Sequence, residues 1–276
     1  MVASGRLKTF FRITSRLLLY VLLTTAAVDA KAVCDGMRLK LLFSPTFGPG
    51  FMREFFSDVT ALLESNGCLV SISHVNTFQE LFDKIRTQKH DVLIIPSLFN
   101  EEIKAFGYTR KLSGFDGTKG YIVVRRSGQY IRLRDLVGQT IYINDPLSMA
   151  AAEWIRITKE KGIYKQINVE YGGKLDSLLF RLMNSEIDTT HSIDILYDKL
   201  PDEYKEKLLI IHRFRLNAPA SILFAQRLPK PLVNKLTNEI EKKSERWRKL
   251  PIPSYEIDKE FLTRLRKSLY PEEKTP

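Results

Sequence analysis

The chain has 276 residues, 44% of them hydrophobic and 27% charged, with a formal net charge of +11 from 43 basic and 32 acidic side chains. This is enough apolar side chain for one domain or two modest ones, and it excludes a disordered, collagen-like or disulfide-dense scaffold. The four histidines, His74, His90, His191 and His212, lack metal-ligand spacing, and two cysteines are too few for a thiolate cluster.

The opening is basic and free of acids until Asp29. Arg6, Lys8, Arg12 and Arg16 lead into LLLYVLLTTAAV, and the small residues of VDAKA follow. This is the pattern of an export signal over residues 1–32, cleaved after Ala30 or Ala32. Its apolar core, residues 17–28, is short for a membrane span of roughly 20 residues, which makes an uncleaved anchor the lesser alternative. Val33, immediately before Cys34, departs from a lipobox. Losing residues 1–32 removes five positive charges and one negative, leaving +7. Export removes nucleic acid as a partner and directs the remaining charge toward anionic ligands or acidic surfaces.

Beyond the signal, strand and helix patterns alternate. RLKLLFS reads as a strand, and residues 49–67 as a helix with Phe51, Phe55, Val59, Leu62 and Leu63 on one face. CLVSISHV is the second strand. Cys34 and Cys68 each stand just before one of these two strands. If the strands are parallel neighbours the cysteines are close, and a Cys34–Cys68 disulfide is expected in an oxidising compartment. Thr77-Phe78-Gln79-Glu80 is a capping box opening the helix FQELFDKIRTQ. DVLIIPS is a continuous apolar strand of the kind buried on both faces. Strand, helix, strand, helix, strand argues for a parallel sheet covered by helices.

A second block follows. GYIVVRR and TIYIND are strands joined by a polar connection, and a helix starts near Ser148, directly after Asn144-Asp145-Pro146. QINVEY, the helix KLDSLLFRLMN, the short strand IDTTHS and the helix IDILYDKL continue it, so two sheets fit better than one. KLLIIHRF and PASILFAQ are strands. Residues 229–250 read as one long basic helix carrying Lys230, Lys235, Lys242, Lys243, Arg246, Arg248 and Lys249, and a shorter helix precedes the charged tip PEEKTP.

The strand-to-helix turn at Ser148 has two readings, a simple capped turn or an anion site built from free amides and the helix dipole. The wider pattern bears on the choice. LKLLFSP, FQELFDKIRTQKHDVLIIPS, GYIVVRRS, LRDLVGQTIYINDPLS, NSEIDTTHSID and APASILFAQRLP, in that order and spacing, resemble the phosphate/phosphonate-type solute-binding proteins of ABC transporters. The resemblance implies an α/β, two-lobed type 2 periplasmic-binding fold, each lobe a mainly parallel sheet flanked by helices, with the ligand cleft between lobes. It implies a first lobe of residues 33–126 plus 216–276, a second of residues 127–215, and hinges near residues 125–129 and 215–219.

The resemblance also implies ligand contacts from Ser148 with the amides of Met149 and Ala150, from Thr46 and Phe47 after the first strand, and from Ser97 and Phe99 after the third. Thr190 and His191 are expected from the second lobe, His191 supplying charge if protonated, with Tyr171 a further strand-end candidate. Where the family continues with hydroxyl residues after the first Ser, Met149 and Ala150 stand here, which favours a singly charged or more apolar ligand. No nucleophile elbow, phosphate loop or dinucleotide fingerprint appears, and FGPG lacks the Lys and Ser/Thr of a phosphate loop. The expectation is therefore a periplasmic, monomeric, cofactor-free protein that is not an enzyme. It captures a small anionic ligand for an ABC permease. Two alternatives remain, a module presenting its bound state to a membrane-bound sensor and an enzyme on the same fold.

Overall fold

The computed structural model describes residues 34–115, 117–216, 220–250 and 257–271. The export signal read at residues 1–32, most of the charged tip and residues 217–219 of the second expected hinge lie outside these. The first block runs β1 (Arg38–Phe43), α1 (Pro49–Phe55), α2 (Ser57–Ser65), β2 (Leu69–Ser73), α3 (Phe78–Arg86), β3 (Val92–Pro96), α4 (Asn100–Lys104) and β4 (Tyr108–Gly114). The middle block runs β5 (Lys119–Arg125), β6 (Thr140–Ile143), α5 (Met149–Glu160), β7 (Asn168–Tyr171), α6 (Leu175–Met183), β8 (Thr189–Ile193), α7 (Asp194–Tyr197), α8 (Asp202–Lys205) and β9 (Leu208–Arg215). The chain then returns through β10 (Ala220–Ala225), α9 (Lys230–Lys243), β11 (Trp247–Arg248) and α10 (Lys259–Leu269).

The strands form two sheets, ordered β11-β4-β10-β3-β1-β2 and β7-β6-β8-β5-β9. In the first, β1 runs parallel to β2 and β3, while β10 is antiparallel to β3 and β4. In the second, β6 runs parallel to β7 and β8, while β5 is antiparallel to β8 and β9. The reversed central strand of each sheet is the one that arrives from the other sheet, β5 after β4 and β10 after β9. A strand entering through a short crossing starts at the carboxyl ends of the parallel strands and has to run back from them. The crossings therefore mark the end of each sheet where a ligand crevice forms.

The core follows the sequence pattern closely in places. Every residue of β3 is buried. Thr77 accepts a hydrogen bond from the Glu80 amide at 3.1 Å, and Glu80 reaches back to the Asn76 amide at 2.8 Å, so the box caps α3 as read. The parallel pairing of β1 and β2 brings the Cys34 and Cys68 Cα atoms to 4.8 Å, and the disulfide is present.

Three expectations are corrected, and one strand is added. The strand Lys119–Arg125, read as the end of the first lobe, lies inside the second sheet between β8 and β9. The crossing thus falls before it, near Phe115–Thr118, and not at residues 125–129. The single helix over residues 49–67 breaks at Phe56, whose φ of −112° and ψ of 15° leave the helical region and whose ring stacks on Phe43 at 5.0 Å. The basic helix stops at Lys243, so Arg246, Arg248 and Lys249 are not on it. Burial of Trp247 wins over helix continuation: its indole covers Gly114 across the β4–β11 pair, so closely that a Cβ there would sit 2.6 Å from the ring. Finally, β4 itself, YTRKLSG, was not foreseen.

Candidate functional site

Where the sheets meet, two adjoining cavities of about 90 and about 40 Å³ share Thr46, Pro96, Met149, Ile193 and Leu216 in their walls. The larger is apolar, faced by Phe47, Phe56, Ile94, Phe115 and Ile195. The smaller is polar, faced by Asn144, Ser148, Ala150, His191 and Ser192. Among the described residues, no Lys, Arg, Asp or Glu lines either one. Gly120 of β5 shapes the wall of the polar compartment indirectly, because a Cβ there would meet the Phe214 ring at 2.2 Å and displace it from the lining.

The turn after β6 builds the polar end. The Asp145 carboxylate accepts the Leu147 amide at 2.8 Å and the Asp145 carbonyl accepts the Ser148 amide at 3.0 Å, folding the chain back at once into α5. Ser148 is the N-cap of α5, and its hydroxyl oxygen accepts the Ala151 amide at 3.2 Å. Among the described residues the hydroxyl proton has no acceptor, and no neighbouring segment offers one to the first two amides of the helix, those of Met149 and Ala150. Ser148, Met149 and Ala150, at the positive end of a twelve-residue helix, line the same small compartment as His191 and Asn144.

Asn144 is 6% exposed and His191 3%, yet Asn144 Oδ1 and His191 Nδ1 meet no polar partner among the described residues. Buried polar atoms in native proteins are nearly always paired, so two orphans on one cavity wall mark a place where something else belongs. Asn144 was passed over in the sequence as part of a turn. Its signal was its place as the first residue beyond β6, pointing from a strand end. On the first-lobe side, Ser44 and Thr46 hydroxyls lie 3.1 Å apart in the cavity wall.

The structure thus gathers Ser148, Met149, Ala150, Thr46, Phe47 and His191 around one space, and separates the other expected residues from it. Phe99 is fully buried against Phe78 and Phe82, with ring centroids 5.4 and 5.2 Å away, so it is core. Ser97 lies one residue beyond the lining Pro96, buried in a 3-10 turn. Thr190 donates to the Tyr142 carbonyl of the adjoining strand at 2.9 Å and does not reach the space. Tyr171 sits at a different cavity with Trp154, Lys165 and Arg264. His191 is corrected in role: burial pushes its imidazole down to about 4, against an opposing hydrogen bond to the Tyr142 carbonyl. It is neutral at neutral pH and brings no charge.

Around the cavities the lobes are tied by contacts that sequence reading missed entirely. Lys174, the residue before α6, donates through Nζ to the carbonyls of Pro45, Val75 and Asn76 at 3.2, 3.0 and 2.9 Å. The Leu175 amide donates to the Thr46 carbonyl at 3.1 Å, and the Gly48 amide to Asp176 at 3.2 Å. Asp145 accepts the Phe78 amide, the first of α3, at 3.1 Å. Burial raises the Asp145 carboxyl, while the Leu147 and Phe78 amides and Lys174 pull it back down. Helix α10 bridges both sides, through Arg86 to the Ser268 carbonyl at 2.9 Å and through Lys159 to Asp258 at 2.9 Å. These contacts describe two lobes drawn together over the cavities.

Among known proteins, the family of periplasmic substrate-binding proteins of phosphonate ABC transporters matches residues 41–245. No curated protein matches the sequence. Solved structures with the same fold include a binding component of a phosphonate ABC transporter from Pseudomonas aeruginosa, with 12% identity over 85% of this chain and 86% of that one and a TM-score of 0.65. A Prochlorococcus marinus protein in complex with methylphosphonate shares 12% identity over 84% and 98% of the two chains, with a TM-score of 0.66. A Xanthomonas citri protein bound to ATP also shares 12% identity, over 85% and 96%, with a TM-score of 0.57. At such identities the likeness carries the two-lobed fold and not the ligand.

Proposed function

The chain belongs to the family of periplasmic substrate-binding proteins of phosphonate ABC transporters, and from that premise we propose that it captures a small oxyacid anion between its lobes and delivers it to an ABC permease. The observation that carries the reading is the convergence of the Ser148 hydroxyl and the Met149 and Ala150 amides with two orphaned polar atoms, Asn144 Oδ1 and His191 Nδ1. Free amides at a helix start hold an anion without a cation, and the hydroxyl adds a third donor. Thr46 and Phe47 close the site from the first lobe. On this reading the lobes divide between β4 and β5 and between β9 and β10, which lie in different sheets, and the Lys174 and Asp145 contacts form on closure. Residues 1–32 act as a cleaved export signal, and the protein works as a monomer in the periplasm by binding, without turnover.

The test is a thermal-shift screen of the purified protein against phosphate, phosphonates, sulfonates, carboxylates and amino acids. A ligand of the folded state alone stabilises by about 2.7 kcal/mol at one hundred times its dissociation constant. A shift with an oxyacid that Ser148→Ala weakens roughly tenfold or more supports the reading, since a hydrogen bond to a charged group contributes about 1.5–3 kcal/mol. Silence across the panel refutes it.

A further inference from the structure

We propose that the protein carries a second small-molecule site, between α10 and the second lobe, which takes a singly charged organic acid with an apolar body about the size of an aromatic ring. It is separate from the two cavities at Ser148 and independent of the anion captured there. The cavity is the one at which Tyr171 lies, and it measures about 200 Å³. Its body belongs to the second lobe and is apolar: Trp154 and Ile155 of α5, Ile163 and Ile167 from the turn after it, all four buried, and Val169 of β7. The one hydroxyl among these walls, that of Thr158, already donates to the Trp154 carbonyl at 2.6 Å. Such walls offer water little to bond, and the space is far above the roughly 10–15 Å³ that one water needs; an apolar cavity of about 150 Å³ holds benzene.

The rim supplies the charge. Arg264 reaches it from α10, which is fixed to the first lobe: Arg266 pairs with Glu102 at 3.1 Å, and the ring of Tyr270, the residue after the helix, stacks on Phe106 at 5.5 Å. Lys159 pairs with Asp258 at 2.9 Å and Glu260 at 3.5 Å, and Arg264 pairs with Glu260 at 2.6 Å. These pairs set two cations against two carboxylates and leave out Lys165, which also lines the cavity. Among the described residues the Lys165 ammonium meets neither a carboxylate nor a hydrogen-bond acceptor, only the face of the Tyr164 ring at 5.8 Å. The Tyr171 hydroxyl accepts from Arg264 at 3.4 Å, and its own proton has no acceptor among the described residues. Lys165 also stands at a φ of 67°, a left-handed conformation that a turn normally gives to Gly or Asn and that costs a long side chain energy. Turn geometry therefore does not explain a lysine there, whereas an ammonium at the mouth of an apolar cavity pairs with the head of an acid whose body is buried. One negative charge balances Lys165; a second would find no cation left over.

The test uses three probes of nearly one shape and different charge, phenylacetate, 2-phenylacetamide and 2-phenylethylamine. They are titrated into the exported protein with its two tryptophans isotope-labelled, and the indole N–H signals are followed by NMR. A saturable shift confined to the Trp154 signal is expected with phenylacetate, about three- to fivefold weaker binding with the amide, and the weakest with the amine, as an exposed ion pair contributes up to about 1 kcal/mol. Lys165→Asn removes the charge and suits the left-handed backbone, so it should fold normally and bind acid and amide alike. Lys165→Glu should reverse the order of acid and amine. Equal affinities for all three probes in the wild-type protein, an order unchanged in Lys165→Glu, or no saturable shift overturns the proposal. So does phenylacetate binding that is lost in Ser148→Ala and kept in both Lys165 variants, which would place the acid in the first cavities.

Discussion

Replacing Lys174 by Met keeps the length of the side chain and removes only its ammonium, which makes K174M a direct probe of the contacts between the lobes. Its Nζ serves three carbonyls, those of Pro45, Val75 and Asn76, all on the first lobe. Charge-assisted bonds of this kind contribute about 1.5–3 kcal/mol each, but burial pushes the Lys174 amine down, so desolvation offsets part of the gain. A net value of about 2–3 kcal/mol for the set follows, with about a 30- to 150-fold weakening of ligand affinity if these bonds form only on closure. Calorimetric titration with the tightest acid of the screen measures it, and the melting temperature of unliganded K174M supplies the control. Weak binding with an unchanged unliganded melting temperature is expected. Unchanged affinity with a lowered melting temperature would refute the reasoning, because it would make Lys174 a permanent strut between lobes that do not separate.

Two further outcomes are expected. The His191 imidazole sits at about 4 in the folded chain against 6.5 for the free group, so the unfolded chain binds the extra proton between those values. Stability therefore falls as pH drops from 6.5 toward 4, by about 3 kcal/mol at 1.36 kcal/mol per pH unit. Urea unfolding at pH 7 and 4.5 should show that loss reduced in His191→Gln; identical losses in both proteins would contradict the burial argument. The Cys34–Cys68 bridge spans 34 positions, and chain-entropy reasoning gives about 4 kcal/mol for a loop of that size. Cys34→Ser should lower the urea midpoint accordingly, and two titratable thiols in oxidised, denatured wild-type protein would rule the bridge out.

How much of this was legible in the sequence depended on whether the signal was local. The Thr77 box, the continuous apolar run of β3 and the Ser148 cap each rest on residues within a few positions of one another, and the structure realises all three. The Cys34–Cys68 contact needed one inference beyond locality, that strands linked by a helix lie parallel and adjacent. Where tertiary packing decides, pattern failed. The charge run after Lys243 looks helical, but Trp247 finds Gly114 and draws its segment into the first sheet. Lys119–Arg125 reads as a buried strand without saying which sheet it joins. Phe99 and Tyr171 stand at element ends like true lining residues, and only side-chain direction sends one into the core and the other to a separate cavity. The Lys174 contacts join residues about 100 or more positions apart through backbone carbonyls, which have no signature in side-chain type.

That division between latch and cavity explains how a site with so few donors could hold an anion at all. A ligand that binds only the closed lobes has to supply whatever free energy separates open from closed. A cavity walled largely by Phe, Ile and Met, with no cation among its described lining residues, has little to supply it with. The bonds from Lys174, Leu175, Asp176 and Asp145 to the first lobe take on part of that burden, and they do so outside the cavity, mostly to backbone atoms that do not depend on which ligand is present. On the proposed reading, selection between ligands then falls to what remains inside, Ser148, Met149 and Ala150 at the start of α5, the two unpaired polar atoms and the larger compartment. A ligand with the wrong charge fails there by desolvation, however well the lobes close. On that reading the latch sets how tightly the protein holds what it accepts, and the cavity, with no charged side chain among its described lining residues, sets what it accepts.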